Sequence, residues 1–129
     1  MPELAEVEYY RKQWDVGVGV KVLAVELHAE KRIFRGTDTH AMMRELPGAK
    51  LIASEARGKQ MAFQFSRGLW IAIHLGMTGE LGVEAPRFIT GKHDHLILRQ
   101  KQHALVFSDP RQFGRVLFFK GKGGPPGGA

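Results

Sequence analysis

The chain has 129 residues, with 19 Lys and Arg against 13 Asp and Glu, a formal charge of +6 and no cysteine. That length holds one compact domain, the missing cysteines exclude disulfides and cysteine-ligated zinc, and no apolar run is long enough to span a bilayer. The basic excess points to a polyanionic partner, and to nucleic acid ahead of an anionic membrane surface, since no amphipathic basic helix is present. Hydrophobic residues at 43% and charged residues at 25% describe a folded chain rather than a disordered one. The acidic start Met1-Pro2-Glu3-Leu4-Ala5-Glu6 is the opposite of a secretory signal, so a reducing cytoplasm is expected.

In chain order, residues Glu3 to Trp14 read as a helix. Pro2 suits a helix start, Glu3 and Glu6 suit the positive end of the dipole, and Leu4, Val7, Tyr10 and Trp14 form an apolar stripe. Glycines at 17 and 19 end it. Lys21 to His28 reads as a strand. A second helix fits Asp38 to Leu46, capped by Thr37 or Asp38 and stopped by Pro47-Gly48. Six short β-rich runs follow: Lys50–Arg57, Gln60–Ser66, Leu69–Leu75, His95–Arg99, Ala104–Ser108 and Arg115–Phe119. Turn signals at Gly58-Lys59, Arg67-Gly68 and Lys101-Gln102 separate them. The class is α+β, mainly β, and the pattern alone leaves a sandwich or a barrel open. Residues 1–120 form the expected domain. The Gly/Pro-rich stretch 121–129 reads as a linker or tail, which suggests a longer native polypeptide or an excised domain.

Four segments carry chemistry. At the start, proline and acids satisfy helix capping without further meaning. They also have a chemical use: removing Met1 exposes the secondary amine of Pro2, a nucleophile able to attack C1′ of a deoxyribose and form a Schiff base. An α-amino group titrates near pH ~8, so a useful fraction is uncharged at neutral pH. Glu3 is placed to shuttle protons for the opening sugar, and Glu6, one helical turn on, to steady the amine. Arg57-Gly58-Lys59-Gln60 puts a lysine on a tight hairpin, where a turn lysine is ordinarily just solvated. His74-Leu75-Gly76-Met77-Thr78-Gly79 holds Met77 at the tip of a Gly-spaced loop, although a core histidine and a buried methionine would fit the same letters. Asp109-Pro110-Arg111-Gln112-Phe113-Gly114 makes a second loop carrying Arg111 and Phe113, and an ordinary Pro-Gly turn is its bland equivalent.

Taken together, MPELAEVE, RGK at 57–59, HLGMTG at 74–79, HDH at 93–95 and DPRQFG at 109–114 resemble the formamidopyrimidine-DNA glycosylase and endonuclease VIII family, over essentially all of residues 1–120. The resemblance implies a β-sandwich of short antiparallel strands flanked by two helices. It implies Pro2 as Schiff-base nucleophile, Glu3 as acid/base, Glu6 as supporting carboxylate, and Lys59 as a phosphate contact that also assists elimination. His74 would contact phosphate, while Met77, Arg111 and Phe113 would fill the gap left by a flipped nucleotide. Ala5 departs from the family pattern, which has Pro there. The family's helix-two-turn-helix domain and zinc finger have no counterpart in these residues.

The expected activity is therefore excision of oxidised purines (formamidopyrimidine, 8-oxoguanine) with abasic-site lyase cleavage, on damaged double-stranded DNA, with no cofactor and no membrane. The alternatives are a non-catalytic DNA-binding remnant and a protein-interaction module. An exposed interdomain face is expected to invite self-association. His93 and His95, at i and i+2, would share a strand face and could hold a metal, but no third ligand is evident, so no metal site is expected.

Overall fold

A computed structural model describes residues 3–121. Pro2, and all of the Gly/Pro-rich stretch except Gly121, lie outside the described residues. Alternate side chains of the strands face a shared core, and several on the opposite faces are covered as well. In β3 (Gln60–Phe65) and β4 (Leu69–His74), the residues Met61, Phe63, Phe65, Leu69, Ile71 and Ile73 turn inward, while Gln60, Gln64 and His74 turn out. These two strands pair antiparallel between β2 (Leu51–Arg57) and β8 (Arg115–Lys120), giving the sheet order β2-β3-β4-β8. The second sheet joins β1 (Ala24–Leu27), β6 (Asp94–Arg99), β7 (Ala104–Ser108) and β5 (Glu80–Glu84) in the order β1-β6-β7-β5. Inner faces of both sheets share one apolar core, so the expected β-sandwich with two helices is what forms.

Helix α1 (Leu4–Gln13) covers one open side, packing on β5 and β2, one strand from each sheet. Fully buried Val7 and Trp14 anchor it. Trp14 stacks on Phe63 with ring centroids 4.7 Å apart and donates its indole N–H to the Gly82 carbonyl at 3.1 Å. Truncating such a residue costs about 3–5 kcal/mol. Helix α2 (Thr39–Glu45) begins at Asp38, whose carboxylate accepts the Ala41 N–H at 3.0 Å, so Asp38 rather than Thr37 is the cap. A 3-10 turn at Arg32–Phe34 packs on β8.

Four expectations change. Leu4 is 63% exposed, so the apolar stripe of α1 starts at Val7, and Trp14 belongs to the 3-10 turn that follows. The run Lys21 to His28 is not one strand. Its first residues bridge to the β2 side (Lys21 with Lys50, the Val22 N–H to the Ala49 carbonyl), and only Ala24–Leu27 pairs with β6, so the segment crosses between sheets. Strand β5, Glu80–Glu84, was not expected: Gly82 and two glutamates weaken its local signal, and pairing with β7 makes it. Finally, His93 and His95 do not share a strand face. His93 sits in the turn before β6, and the register passes from Asp94↔Ser108 to Leu96↔Phe107, leaving His95 as a bulge residue.

Candidate functional site

The site sits at one end of the sandwich and is assembled by strand register. Arg57 pairs with Gln60, Gln60 with His74, and His74 with Arg115, which lays a row of polar side chains across all four strands of one sheet. Between Arg57 and Gln60 the chain turns in two residues. Gly58 takes φ +61° there, and Lys59 stands exposed at the tip. A positive φ at the first central residue alone is the type II′ pattern, which matches the twist of the strands it joins.

His74 closes β4 half-buried. Its Nδ1 accepts the Gly76 N–H at 3.3 Å, which leaves the proton of the neutral ring on Nε2. Burial holds its pKa below the usual histidine value, and the nearby charges of Lys59 and Arg35 push the same way. His74 therefore presents a neutral N–H donor at neutral pH. With Arg35, Gln60, Phe113 and Arg115 it lines a concavity of about 270 Å³. The described salt bridges all involve other residues, so Lys59, Arg35, Arg115 and Arg111 carry charge without a carboxylate partner among the described residues. Uncompensated cations gathered at one place favour an anionic ligand.

Next to this row stand the two motif loops, nested backbone to backbone. A Cβ on Gly76 would lie 2.6 Å from the Phe113 carbonyl carbon, and one on Gly114 would lie 2.6 Å from the His74 carbonyl oxygen. Glycine is required at both positions. Met77 emerges 60% exposed from the first loop and Phe113 42% exposed from the second. The Arg111 guanidinium lies over the Phe113 ring, 4.7 Å from its centroid, as a cation–π pair. Gln112 between them takes φ +57°, a left-handed conformation that turns both neighbours outward.

Glu3 and Glu6 open α1. The Glu3 N–H donates to Glu6 Oε1 at 3.4 Å, a long capping contact that sets the Glu6 carboxylate beside the peptide nitrogen immediately after Pro2. Further along the helix Arg11 reaches Ser54 at 2.9 Å, Tyr10 lies beside Glu80 and Trp14 touches Gly82. Moving back along the helix from Trp14 to Tyr10 therefore passes from Gly82 to Glu80, toward the loop that carries Met77. The start of α1 emerges at the end of the sandwich that holds the loops.

The structure thus gathers Lys59, His74, Met77, Arg111 and Phe113, and aims Glu3 and Glu6 at the same end. Pro2 lies outside the described residues. Sequence reasoning missed Arg35 and Arg115 on the basic side and Asp109 beneath the loops. Arg115 directly follows the DPRQFG motif and could have been noted, whereas only the packing of the Arg32–Phe34 turn on β8 reveals Arg35. His95, for which the sequence gives no metal role, is buried, and its Nε2 lies 2.9 Å from the Asp109 carbonyl oxygen, so it braces the second loop.

Two packed antiparallel sheets, with cations left unpaired among the described residues beside an exposed apolar pair and an acidic helix start, define a β-sandwich domain with a basic, partly apolar end. The comparisons name the family. Residues 1–116 match the model described as the formamidopyrimidine-DNA glycosylase N-terminal domain, and the chain belongs to that family. It is 38% identical over 118 residues to the formamidopyrimidine-DNA glycosylase of Solibacter usitatus, covering 92% of this chain and 43% of the relative. It is 34% identical to that of Polaromonas naphthalenivorans, covering 95% of this chain and 44% of the relative. The crystal structure of the Lactococcus lactis enzyme bound non-covalently to DNA containing an AP site superimposes with a TM-score of 0.83 at 28% identity, covering 92% of this chain and 45% of that one. The same enzyme with DNA containing FAPY-dG also gives 0.83. The chain spans less than half the length of these relatives.

Proposed function

We propose that this domain binds damaged double-stranded DNA and supplies the chemistry of a DNA glycosylase and abasic-site lyase acting on oxidised purines. One observation carries the reading: an apolar wedge of Met77 and Phe113, with Arg111, stands beside the unpaired cations Lys59, Arg35 and Arg115 and the neutral N–H donor His74. Chemistry at C1′ requires the nucleotide to leave the stack, at a cost of a few kcal/mol. A wedge filling the vacated space offsets that cost. The basic row holds the phosphates without reading sequence, and a guanidinium stacked on Phe113 keeps its edge N–H groups free for the orphaned base.

In this reading the Pro2 amine, freed by removal of Met1, attacks C1′. The damaged base leaves with the C1′–base electron pair, the amine gives up its proton, and the C1′–O4′ bond then opens, with O4′ leaving as a protonated hydroxyl and an iminium forming between C1′ and the Pro2 nitrogen. Glu3 exchanges the proton of the opening sugar, Glu6 steadies the cationic amine, and β- then δ-elimination cleaves the strand with help from Lys59. The known complexes of the Lactococcus lactis relative with AP-site and FAPY-dG DNA support this substrate class. Reading the damaged base is assigned to the part of the family that this chain does not span, and the cytoplasm, with the chromosome, is the proposed location.

The test is borohydride trapping on abasic-site DNA. With Met1 removed, a covalent adduct at Pro2 is expected, and Pro2→Gly should reduce it strongly. Equally strong trapping by protein that retains Met1 would overturn the assignment, because an amide nitrogen cannot form the imine.

A further inference from the structure

We infer that Thr78 and Asp109 are positioning residues that lock the two motif loops into a single rigid wedge, an inference that rests on the wedge reading above. Asp109 is fully buried. A buried carboxylate is stable only when its oxygens are satisfied. Here each oxygen has one donor: Oδ1 accepts the Thr78 hydroxyl at 2.5 Å, and Oδ2 accepts the Gly114 N–H at 2.8 Å. The Thr78 oxygen in turn accepts the Arg111 N–H at 3.3 Å. Met77 immediately precedes Thr78, and Arg111 and Phe113 lie between Asp109 and Gly114. The three wedge side chains are therefore bracketed by one hydrogen-bonded circuit.

The circuit is fixed from behind as well. The Asp109 N–H donates to the His93 carbonyl at 3.0 Å, and the Asp109 carbonyl can only accept, so His95 Nε2 is the donor of their 2.9 Å contact. The residue types follow from this wiring. Asp109 must offer two acceptors, one to an O–H and one to an N–H. Asparagine would turn an NH2 group toward either donor. Thr78 must donate and accept at once, which serine can also do and valine cannot. Without the lock both loops remain, but Met77 and the Arg111–Phe113 pair move independently and the cost of ordering them falls on DNA binding.

The experiment uses the full chain and a duplex with 2-aminopurine beside an abasic-site analogue, where fluorescence rises as the wedge unstacks the reporter. Thr78→Val is expected to lower the inserted fraction about ten-fold, the scale of a lost hydrogen bond to a charged acceptor. Thr78→Ser should restore it. Asp109→Asn should behave as Thr78→Val. Affinity for undamaged duplex should stay within about two-fold in all three, since the phosphate row is untouched. Phe113→Ala separates the two ideas. If it abolishes the signal while Thr78→Val leaves it intact, the lock is wrong and the wedge survives. If Phe113→Ala changes nothing, the wedge itself is wrong. Failure of Thr78→Ser to restore the signal would mean lost packing rather than a lost hydrogen bond, and would also overturn the lock. Should Asp109→Asn not fold, the Thr78 pair decides alone.

Discussion

The wedge loops and the start of α1 face the same end of the sandwich but are built in opposite ways. Each wedge loop is held at several points: glycine-to-backbone contacts at Gly76 and Gly114, two hydrogen bonds to buried Asp109, and the Arg111–Phe113 stack. The first turn of α1 has exposed Glu3, Leu4 and Glu6, local capping contacts of Glu3 with Glu6 and Val7, and no buried residue before Val7. The difference teaches a division of labour. The part proposed to push against stacked bases is rigid and built into the fold, whereas the part proposed to do chemistry projects from a single helical turn, open to a reactant. Stability and reactivity should therefore be separable by mutation.

The largest test is Glu3→Gln. It should lower abasic-site cleavage by about 10²–10⁴-fold, the usual worth of a positioned acid/base, and leave stability within about 0.5 kcal/mol because the residue is exposed. A large loss of melting temperature with cleavage retained would invert the comparison. Gly76→Ala comes next, from the other side. With φ at +65° and backbone 2.6 Å from the new Cβ, it should cost about 2–3 kcal/mol in urea unfolding.

A smaller effect follows from the two shifted histidines. Burial first, and then Lys59 and Arg35, lowers the pKa of His74 from 6.5, and burial is also the main cause lowering His95. Both bind a proton more readily when unfolded, so their stabilising share is complete above 6.5 and declines as pH falls through the folded values. Melting temperatures measured from neutral to mildly acidic pH should show that decline, and His74→Gln should flatten it. The smallest effect belongs to Arg111→Ala. Its exposed cation–π contact is worth about 0.5 kcal/mol of stability, while its loss should be plain in wedge insertion.

Sequence reasoning found the strands where apolar, β-rich runs are bounded by clear turn signals. Ala104–Ser108 stands as expected, and five others shift by a residue at one end. It failed where only tertiary pairing decides, as for Glu80–Glu84, or for the Lys21 segment that changes sheet partners. Within the site, the residues with a chemical signature were visible: a turn lysine, a Gly-flanked methionine, an Arg-Gln-Phe loop. Asp109 was visible only as part of a turn, because burial and two long-range donors give it its role, and neither is written in neighbouring residues. Arg35 had no local signal at all.

The pairing of β4 with β8, from Leu69↔Lys120 to His74↔Arg115, carries one more consequence. Hairpins β2–β3 and β3–β4 close between neighbours in the chain, but β4 and β8 must find each other across β5, β6 and β7, three of the four strands of the second sheet. Closing so long a loop is entropically expensive and comes only with the non-local contacts that reward it. The two halves of the wedge lie on opposite sides of that junction, one after β4 and one before β8. The proposed capacity to unstack a duplex thus depends on the closed sandwich, and DNA insertion would then serve as a readout of complete folding.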